Sequence, residues 1–371
     1  MILLFFVFPL LLLDYRKSKN TGFSSKAYIL FSLYLILVSV AAPLLLNFGG
    51  DSKELLSAIE FSIIMFLLIK NKKIGQVFID TYSNLAVLFA VFLLIQYIAF
   101  VFFNVSVTGV IPFLELYNRE VESVMDGRLL RICSVFAEPS HFAVYEVPVL
   151  IFLLWRKTNP KGRLFRIIII SLSILLCTSS NGIIIMALIY LAIVIQKYFT
   201  HFKLSYLIIG SVVLCLAFYI IKESEYIDKI TYGLFVQEPD MTMSKAEMRI
   251  YRGFNMYADM PLEQKCFGIG WRNARRYCLT CNTSLFSKYS ADAFDYFNSI
   301  AGTLIYAGIV GLVLLLLFFF SLWKETKDYA TKLLILSVFI IMVSSSVLMT
   351  DQWVLFLAAI TSMININSIK N

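Results

Sequence analysis

The stretch Arg128–Pro148 reads RLLRICSVFAEPSHFAVYEVP, and it decides how the rest of the chain is interpreted. Arg128, Arg131, Glu138 and His141 lie in a short loop that runs directly into an apolar segment. Charged groups at the edge of a bilayer are costly unless they are paired or used. We therefore expect this loop either to carry a functional site or to be tied down by an Arg131–Glu138 ion pair.

The composition is that of an integral membrane protein. Of the 371 residues, 60% are hydrophobic and only 15% are charged, which excludes an ordinary soluble domain and a disordered chain. The apolar runs have the length of helices and lack the alternating pattern of a membrane barrel. The formal net charge is +8. A polytopic membrane protein has such a basic excess because its cytoplasmic links are rich in Lys and Arg, so the charge need not indicate nucleic-acid binding.

The apolar runs predict an all-α, polytopic protein with about eleven transmembrane helices in a single transmembrane domain over residues 1–371. The run 167–195 is interrupted by the polar sequence TSSNG at Thr178–Gly182, so we interpret it as two short helices. The other predicted helices cover 1–13, 27–46, 55–69, 85–103, 139–154, 204–221, 298–322, 333–349 and 353–366.

The distribution of Lys and Arg predicts the orientation of these helices. Short links contain 18 of the 32 basic residues and only three acidic ones; they are 14–26, 70–73, 156–166, 197–203, 324–332 and Lys370. Basic links of this kind face the cytoplasm. The loop 104–140 and the larger loop 222–297 are then external, and the larger one is neutral, with ten basic and ten acidic residues.

The larger external loop contains a predicted amphipathic helix. Ser244-Lys-Ala-Glu247 is a capping box, and it starts a helix over about 245–260. Lys245, Arg249 and Arg252 form one stripe of this helix at positions i, i+4 and i+7. Such a stripe suits a surface of anionic headgroups or a diphosphate, and the simpler alternative is an interfacial helix with solvated cations.

Other residues of this loop carry weaker signals. The sequence Gly268-Ile-Gly-Trp271 predicts a tight turn into a basic patch, and it lacks the strand and the further glycines of a nucleotide fingerprint. Asp292 and Asp295 precede the helix at 298, where either could act as a base or favour the helix N-terminus. Within the apolar segments, Glu60 and Glu146 are candidates for a relay or for buried partners of other groups.

The cysteines and histidines do not predict a metal or a cofactor. Cys266, Cys278 and Cys281 lie in the larger loop, and an oxidising compartment would permit one disulfide and one remaining thiol. Cys278 and Cys281 form a single C-x-x-C without a second pair and without a nearby histidine, which argues against zinc. We therefore expect metal-independent chemistry.

Four segments together resemble a known family. They are RICSVFAEPSHFA at Arg131–Ala143, TSSNG at Thr178–Gly182, the stretch from Arg249 to the GIGW ending at Trp271, and FNSI…YAGIVG at Phe297–Gly311. In this order they resemble the Wzy-type O-antigen and capsular polysaccharide polymerases and the related O-antigen ligases. The second segment departs from the pattern, since it has an asparagine where the family usually has an arginine.

A second departure concerns Phe297, which stands where ligase-like members often have a histidine. A histidine base cannot be carried over to that position, and this favours a polymerase over a ligase. The base stays open among Glu138, His141, Asp292 and Asp295.

The resemblance implies a GT-C-like glycosyltransferase in the bacterial cytoplasmic membrane. The implied catalytic residues are Glu138, Arg131, His141 and Asp295, and the implied diphosphate-binding residues are Arg128, Arg131, Lys245, Arg249 and Arg252. The implied partners are an undecaprenyl-diphosphate-linked oligosaccharide, the lipid bilayer and, as a candidate, a chain-length regulator. Tyr251, Tyr257 and Trp271 are expected to stack on sugars or to anchor the interface.

Two further functions compete with this interpretation. A flippase or transporter of lipid-linked sugar would explain the helices, but it would not explain the large external loop, and the chain shows no internal repeat. A membrane acyltransferase is disfavoured because the chain has only two histidines.

Overall fold

The structure, a computed structural model, describes residues 23–70, 75–105, 107, 109, 132–155, 162–177, 179–198, 245–289 and 297–369. Within these ranges every regular element is an α-helix. The helices are α1 Phe23–Leu45, α2 Ser52–Lys70, α3 Gln76–Phe103, α4 Pro139–Trp155, α5 Arg163–Leu176, α6 Ser180–Tyr198, α7 Lys245–Asp259, α8 Leu262–Phe267, α9 Ala274–Thr280, α10 Thr283–Tyr289, α11 Ser299–Glu325, α12 Tyr329–Ser344 and α13 Asp351–Ile369.

The prediction of a helical membrane protein agrees with these elements. The helices α1, α3 and α11 are each long and apolar enough to cross a membrane, and α4, α6, α12 and α13 are shorter apolar helices. The predicted helices at 1–13 and 204–221 lie outside the described residues, so the number of about eleven spans stays a prediction.

The polar break in the apolar run 167–195 is a junction between two helices. α5 ends at Leu176 and α6 begins at Ser180, as the TSSNG sequence predicts. The start of α6 packs directly against α4, because a Cβ atom on Gly182 would lie 2.4 Å from the Cβ atom of Ala143. The junction therefore brings α6 against the helix that follows the EPS sequence.

The helix ends that adjoin the basic links meet at one end of the bundle, which we call the basic end. At the start of α1, the backbone N–H and the hydroxyl of Ser24 both donate to the Glu325 carboxylate, at 2.8 and 2.6 Å. The Trp155 indole donates to Gln196 and its ring lies 5.8 Å from that of Tyr329. The ends of α4, α6 and α11 and the starts of α1 and α12 thus lie together.

The opposite end, which we call the loop end, gathers the segments predicted to be external. Arg276, in the larger loop, forms an ion pair of 2.9 Å with Asp51 in the link between α1 and α2. The Asn181 amide donates to the Ser345 hydroxyl at 3.2 Å, and the Ser299 N–H donates to the Ser345 carbonyl at 3.0 Å. The starts of α6 and α11 and the end of α12 therefore meet here. Which end faces the cytoplasm stays a prediction from the positive-inside rule.

Two features of the fold were not predicted from the sequence. The larger loop folds into the short helices α8, α9 and α10 after α7, although only α7 has a clear helical pattern. The helix α11 is interrupted at Gly308, whose φ of 66° and ψ of −170° are not helical. These two features are connected, because the segment after α8 packs against the interruption.

Candidate functional site

Glu138 immediately precedes α4 at the loop end. The helix begins at Pro139, where the missing backbone N–H costs nothing because the first turn has no intrahelical acceptor. Glu138 is partly buried, and the Ser140 hydroxyl donates to its Oε2 atom at 3.2 Å. His141 is exposed in the first turn of the same helix. The carboxylate of Glu138 is thus held near the surface by its own helix start.

The loop that carries Arg128 and Arg131 is anchored where it leaves and re-enters the bundle. The buried Gln96 amide donates to the carbonyls of Val107 and Ser134, at 3.0 and 3.2 Å, and accepts from the Ser134 N–H at 3.0 Å. Both ends of the loop are therefore bound to one side chain of α3. Arg128 and Arg131 themselves lie outside the described residues.

Ser299 organises the start of α11 next to the end of α12. Its hydroxyl donates to the Ser345 carbonyl at 2.9 Å and accepts from the backbone N–H groups of Val347 and Leu348, at 2.8 and 3.0 Å. The preceding Asn298 caps α11 by accepting from the Ala301 N–H at 2.9 Å. These bonds connect the FNSI sequence to the start of α6 through Ser345.

The basic helix α7 packs on the same start of α11. A Cβ atom on Gly253 would lie 2.6 Å from the Ala301 Cβ and 3.1 Å from Phe297 Cδ1, so the two helices are in close contact at this point. Arg252, the neighbour of Gly253, is partly buried, and this burial lowers the pKa of its guanidinium. An arginine stays charged despite such a shift, so Arg252 brings a partly desolvated positive charge to the loop end.

The structure thus brings parts of all four motif segments to one end of the bundle. The contacts run from α4 to α6 through Ala143 and Gly182, then through Asn181 and Ser345 to α11, and from α11 to α7. Lys245 and Arg249 lie in α7, and their side chains are outside the described set. Asp292 and Asp295 are outside the described residues as well.

The comparisons with known proteins do not assign a family. Neither family models nor the sequences of curated proteins match the chain. Function must therefore be argued from the site and from the motif resemblance.

The predicted basic patch after the GIGW turn is largely paired. Arg272 lies 3.5 Å from Glu54 and Arg276 lies 2.9 Å from Asp51. Arg276 also donates to the carbonyls of Gly49 and Gly50, at 3.4 and 3.1 Å. These two arginines fasten the segment around α9 to α2 and to the link before it, and both remain exposed, as does Arg275.

Two possibilities that the sequence left open for the larger loop are not realised in the structure. Cys266, Cys278 and Cys281 are all free thiols, so the one disulfide that an oxidising compartment would permit does not form. Cys278 is buried against the core, whereas the Cys281 thiol is exposed and donates to the Leu46 carbonyl at 3.2 Å. Trp271 is 5% exposed and packs edge-on against Tyr306, so it is removed from the surface where a sugar would stack.

The other two aromatic candidates differ in their surroundings. Tyr251 is 55% exposed, so its ring is available at the surface of α7. The Tyr257 hydroxyl donates to the Lys265 carbonyl at 3.0 Å, which ties α7 to α8. Only Tyr251 therefore keeps an exposed aromatic face among the three residues expected to stack.

Of the two acidic residues in apolar segments, Glu146 is the buried one. Glu146 is 0% exposed, and neither of its carboxyl oxygens has a hydrogen-bond partner among the described residues. Glu60 is only partly buried in α2. A buried carboxyl without partners is costly as an anion, so Glu146 is better suited to a neutral form than to a structural ion pair.

Gln96 and Ser299 are the polar residues that the sequence interpretation missed. Gln96 is the single amide within the apolar run that ends at Phe103, and Ser299 follows the asparagine that caps α11. An isolated amide in a membrane-length run is a signal, because it requires partners that lipid cannot supply. For Ser299 the sequence contains no comparable signal, since its partners lie near residue 347.

Proposed function

We propose that this chain is a polysaccharide polymerase of the bacterial cytoplasmic membrane. It would transfer a glycan from undecaprenyl diphosphate to a sugar hydroxyl of a lipid-linked repeat unit at the external face. One observation supports this most directly: the starts of α4, α6 and α11 and the middle of α7, which carry parts of the four motif segments, lie together at the loop end, with Arg252 and Glu138 both partly buried there.

The chemistry requires a cationic site and a base. The bond between the anomeric carbon of the donor and the diphosphate oxygen breaks, and its electron pair leaves with the lipid diphosphate. The acceptor hydroxyl oxygen forms the new glycosidic bond and gives its proton to the base. The negative charge that develops on the leaving group is stabilised by fixed cations, for which arginine is suited by its planar, permanently charged fork.

The described residues supply one candidate for each role. Arg252 is a partly desolvated cation on α7, and Arg128, Arg131, Lys245 and Arg249 are the further cations of the proposal. Glu138 is a described carboxylate at the same end, and it has the hydrogen bond from Ser140 that would orient it. His141, Asp292 and Asp295 are the alternative bases.

The test is polymerisation in vitro by purified protein and lipid-linked repeat units. Loss of one charge-stabilising group typically lowers the rate about 10²- to 10³-fold, and we expect a loss of that order for Arg131→Ala, Arg249→Ala and Arg252→Ala. Arg275→Ala is the matched control, since Arg275 is an exposed arginine of the same loop outside the motif segments. Folded Arg131→Ala and Arg249→Ala proteins with normal activity would refute the assignment.

Two additional arms of this assay test which acceptor is used and how Arg252 binds the diphosphate. A lipid A-core acceptor in place of the lipid-linked repeat unit tests for an O-antigen ligase. Arg252→Lys keeps the charge but loses the bidentate fork, so it should remain impaired if Arg252 binds two diphosphate oxygens.

The second candidate is a transporter of lipid-linked sugar, and the buried carboxyl of Glu146 favours it. An intramembrane acid without a partner is a common element of proton relays. Surface glycan in a deletion strain discriminates the two functions. Single repeat units on the surface would indicate a missing polymerase, whereas units retained inside the cell would indicate a missing flippase.

A further inference from the structure

Part of the larger loop packs alongside the middle of α1 and α11. The Tyr34 hydroxyl, in α1, donates to the Phe267 carbonyl at 3.0 Å. At the interruption of α11, a Cβ atom on Gly308 would lie 2.2 Å from the Cys266 carbonyl oxygen. The end of α8 is therefore in contact with the interior of two helices that are long enough to span a membrane.

The depth of this contact follows from the helix rise. Tyr34 is eleven residues before Leu45, which ends α1, so at 1.5 Å per residue it lies about 16 Å from that end. Gly308 is nine residues after Ser299, which starts α11, so it lies about 14 Å below that start. Half of a typical hydrocarbon core is about 15 Å thick, so the end of α8 reaches about the bilayer midplane if the helix ends mark its boundary.

The chain then returns to the loop end. The Trp271 N–H donates to the Ser39 hydroxyl at 2.8 Å, and the Cys281 thiol donates to the Leu46 carbonyl. Residues further along the loop therefore contact residues nearer to the C-terminal end of α1, which lies at the loop end. Since α7 lies against the start of α11, the segment both enters and leaves from the loop end. This path defines a re-entrant segment and not a surface loop.

The non-helical backbone at this depth has hydrogen-bond partners. The N–H groups of Ile269 and Gly270 donate to the carbonyls of Ile305 and Tyr306, at 3.2 and 2.9 Å, where the interruption of α11 frees them. The residues 268–271 are all buried. Irregular backbone at membrane depth is tolerated only where it is buried in protein with its polar groups paired. This turn is buried, and each of its N–H groups from Gly268 to Trp271 has an acceptor.

Two large apolar side chains of α8 remain exposed. Leu262 is 75% exposed and Phe267 is 59% exposed. On α11, the adjoining residues Ile309 and Val310 are 50% and 36% exposed, and exposed leucines continue along α1. The exposed side chain of Phe267 at the end of α8 thus adjoins the apolar outer surface of the two long helices, whereas the start of α8 also exposes the charged Glu263.

We propose that Pro261–Trp271 is a re-entrant membrane segment whose exposed residues Leu262 and Phe267 bind the acyl chains of the bilayer. The occupant is hydrocarbon because Leu262 and Phe267 are apolar and because Phe267 lies at the level of Tyr34 and Gly308 beside the outer surface of α1 and α11. The exposed Glu263 lies at the start of α8, nearer to the loop end. The larger loop is therefore fixed at a set depth in the membrane. This inference does not depend on the proposed enzymatic activity.

Quenching of an added tryptophan by brominated lipids tests the proposal. Phe267→Trp and Leu262→Trp proteins are reconstituted into phosphatidylcholine vesicles brominated near the middle of the acyl chain, and the emission of the native protein is subtracted. We expect the added emission of Phe267→Trp to be largely lost in these vesicles and to resist iodide in the water. Leu279→Trp is the control, since Leu279 is exposed on α9, where the chain has returned to the loop end.

The native cysteines provide a second measurement without substitution. In vesicles, a charged maleimide should label Cys281, which is exposed at the loop end, and should leave Cys266, beside Gly308, unlabelled. An uncharged, lipid-soluble maleimide should label Cys266 as well. Quenching of both Trp variants by iodide and not by bromine, or labelling of Cys266 by the charged reagent, would overturn the proposal.

Discussion

Replacement of Gly268 by alanine tests how firmly the turn after α8 is held in the interruption of α11. Gly268 has φ of +86° and ψ of −179°, a region that is essentially restricted to glycine and costs another residue about 1–3 kcal/mol. A Cβ atom there would also lie 2.4 Å from the Tyr306 carbonyl oxygen, which is backbone and cannot rotate away. The turn must therefore move away from α11.

The movement would break the hydrogen bonds that Ile269 and Gly270 donate to α11. Each contributes about 0.5–1.5 kcal/mol net, so with the conformational cost we expect the free energy of local opening to fall by about 2–6 kcal/mol. Because 1.4 kcal/mol corresponds to a factor of ten, amide protection of the turn should fall by about one and a half to four orders of magnitude.

Hydrogen exchange with mass spectrometry of peptides covering residues 262–275 measures this loss. The control is Gly162→Ala, since Gly162 also has positive φ, +83°, but nothing lies within 4 Å of its Cβ position. The control should leave the exchange of residues 262–275 unchanged. The reasoning fails if Gly268→Ala exchanges as slowly in this segment as the unaltered protein.

Three further predictions concern other residues. Gln96→Met removes the partner of the buried carbonyl and N–H of Ser134 and of the partly buried Val107 carbonyl, and it should destabilise the protein by about 2–5 kcal/mol, seen as a lower thermal unfolding midpoint in detergent. Asp51→Asn removes an ion pair to Arg276 that is partly exposed, so it should cost no more than about 1 kcal/mol in the same assay, and an equal effect of both substitutions would contradict this ranking. Burial raises the pKa of the Cys278 thiol to about 12, and the neighbouring Cys281 adds to the shift. Near pH 8 the thiolate fraction of Cys278 is then roughly three orders of magnitude below that of an ordinary thiol, so iodoacetamide should modify exposed Cys281 long before Cys278 in the folded protein. The Cys278 rate should rise with pH, and similar rates for both thiols before denaturation would refute the shift.

The candidate site was predictable in part. The sequence pointed to the loop before α4, to the basic helix α7 and to the start of α11, and the described parts of all three lie at one end of the bundle. It did not predict that Gln96 would hold both ends of the first loop, nor that Arg272 and Arg276 would be paired with acidic residues more than two hundred positions away. The spacing of a motif carries information only about residues that are close in sequence, whereas these partners are far apart in sequence.

The sequence by itself determined the all-helical class and most helix positions. Apolar runs of membrane length have no other stable form in lipid, and the polar break near residue 180 cannot continue a buried helix without partners. Local sequence patterns were not sufficient for the larger loop, where the glycines of GIGW predicted a turn but not its position in the fold. Only the tertiary structure decided that this turn lies against Gly308, that Trp271 is buried, and that Cys266, Cys278 and Cys281 form no disulfide. The reason is physical: a glycine permits a close approach, but which backbone approaches it depends on how distant helices pack.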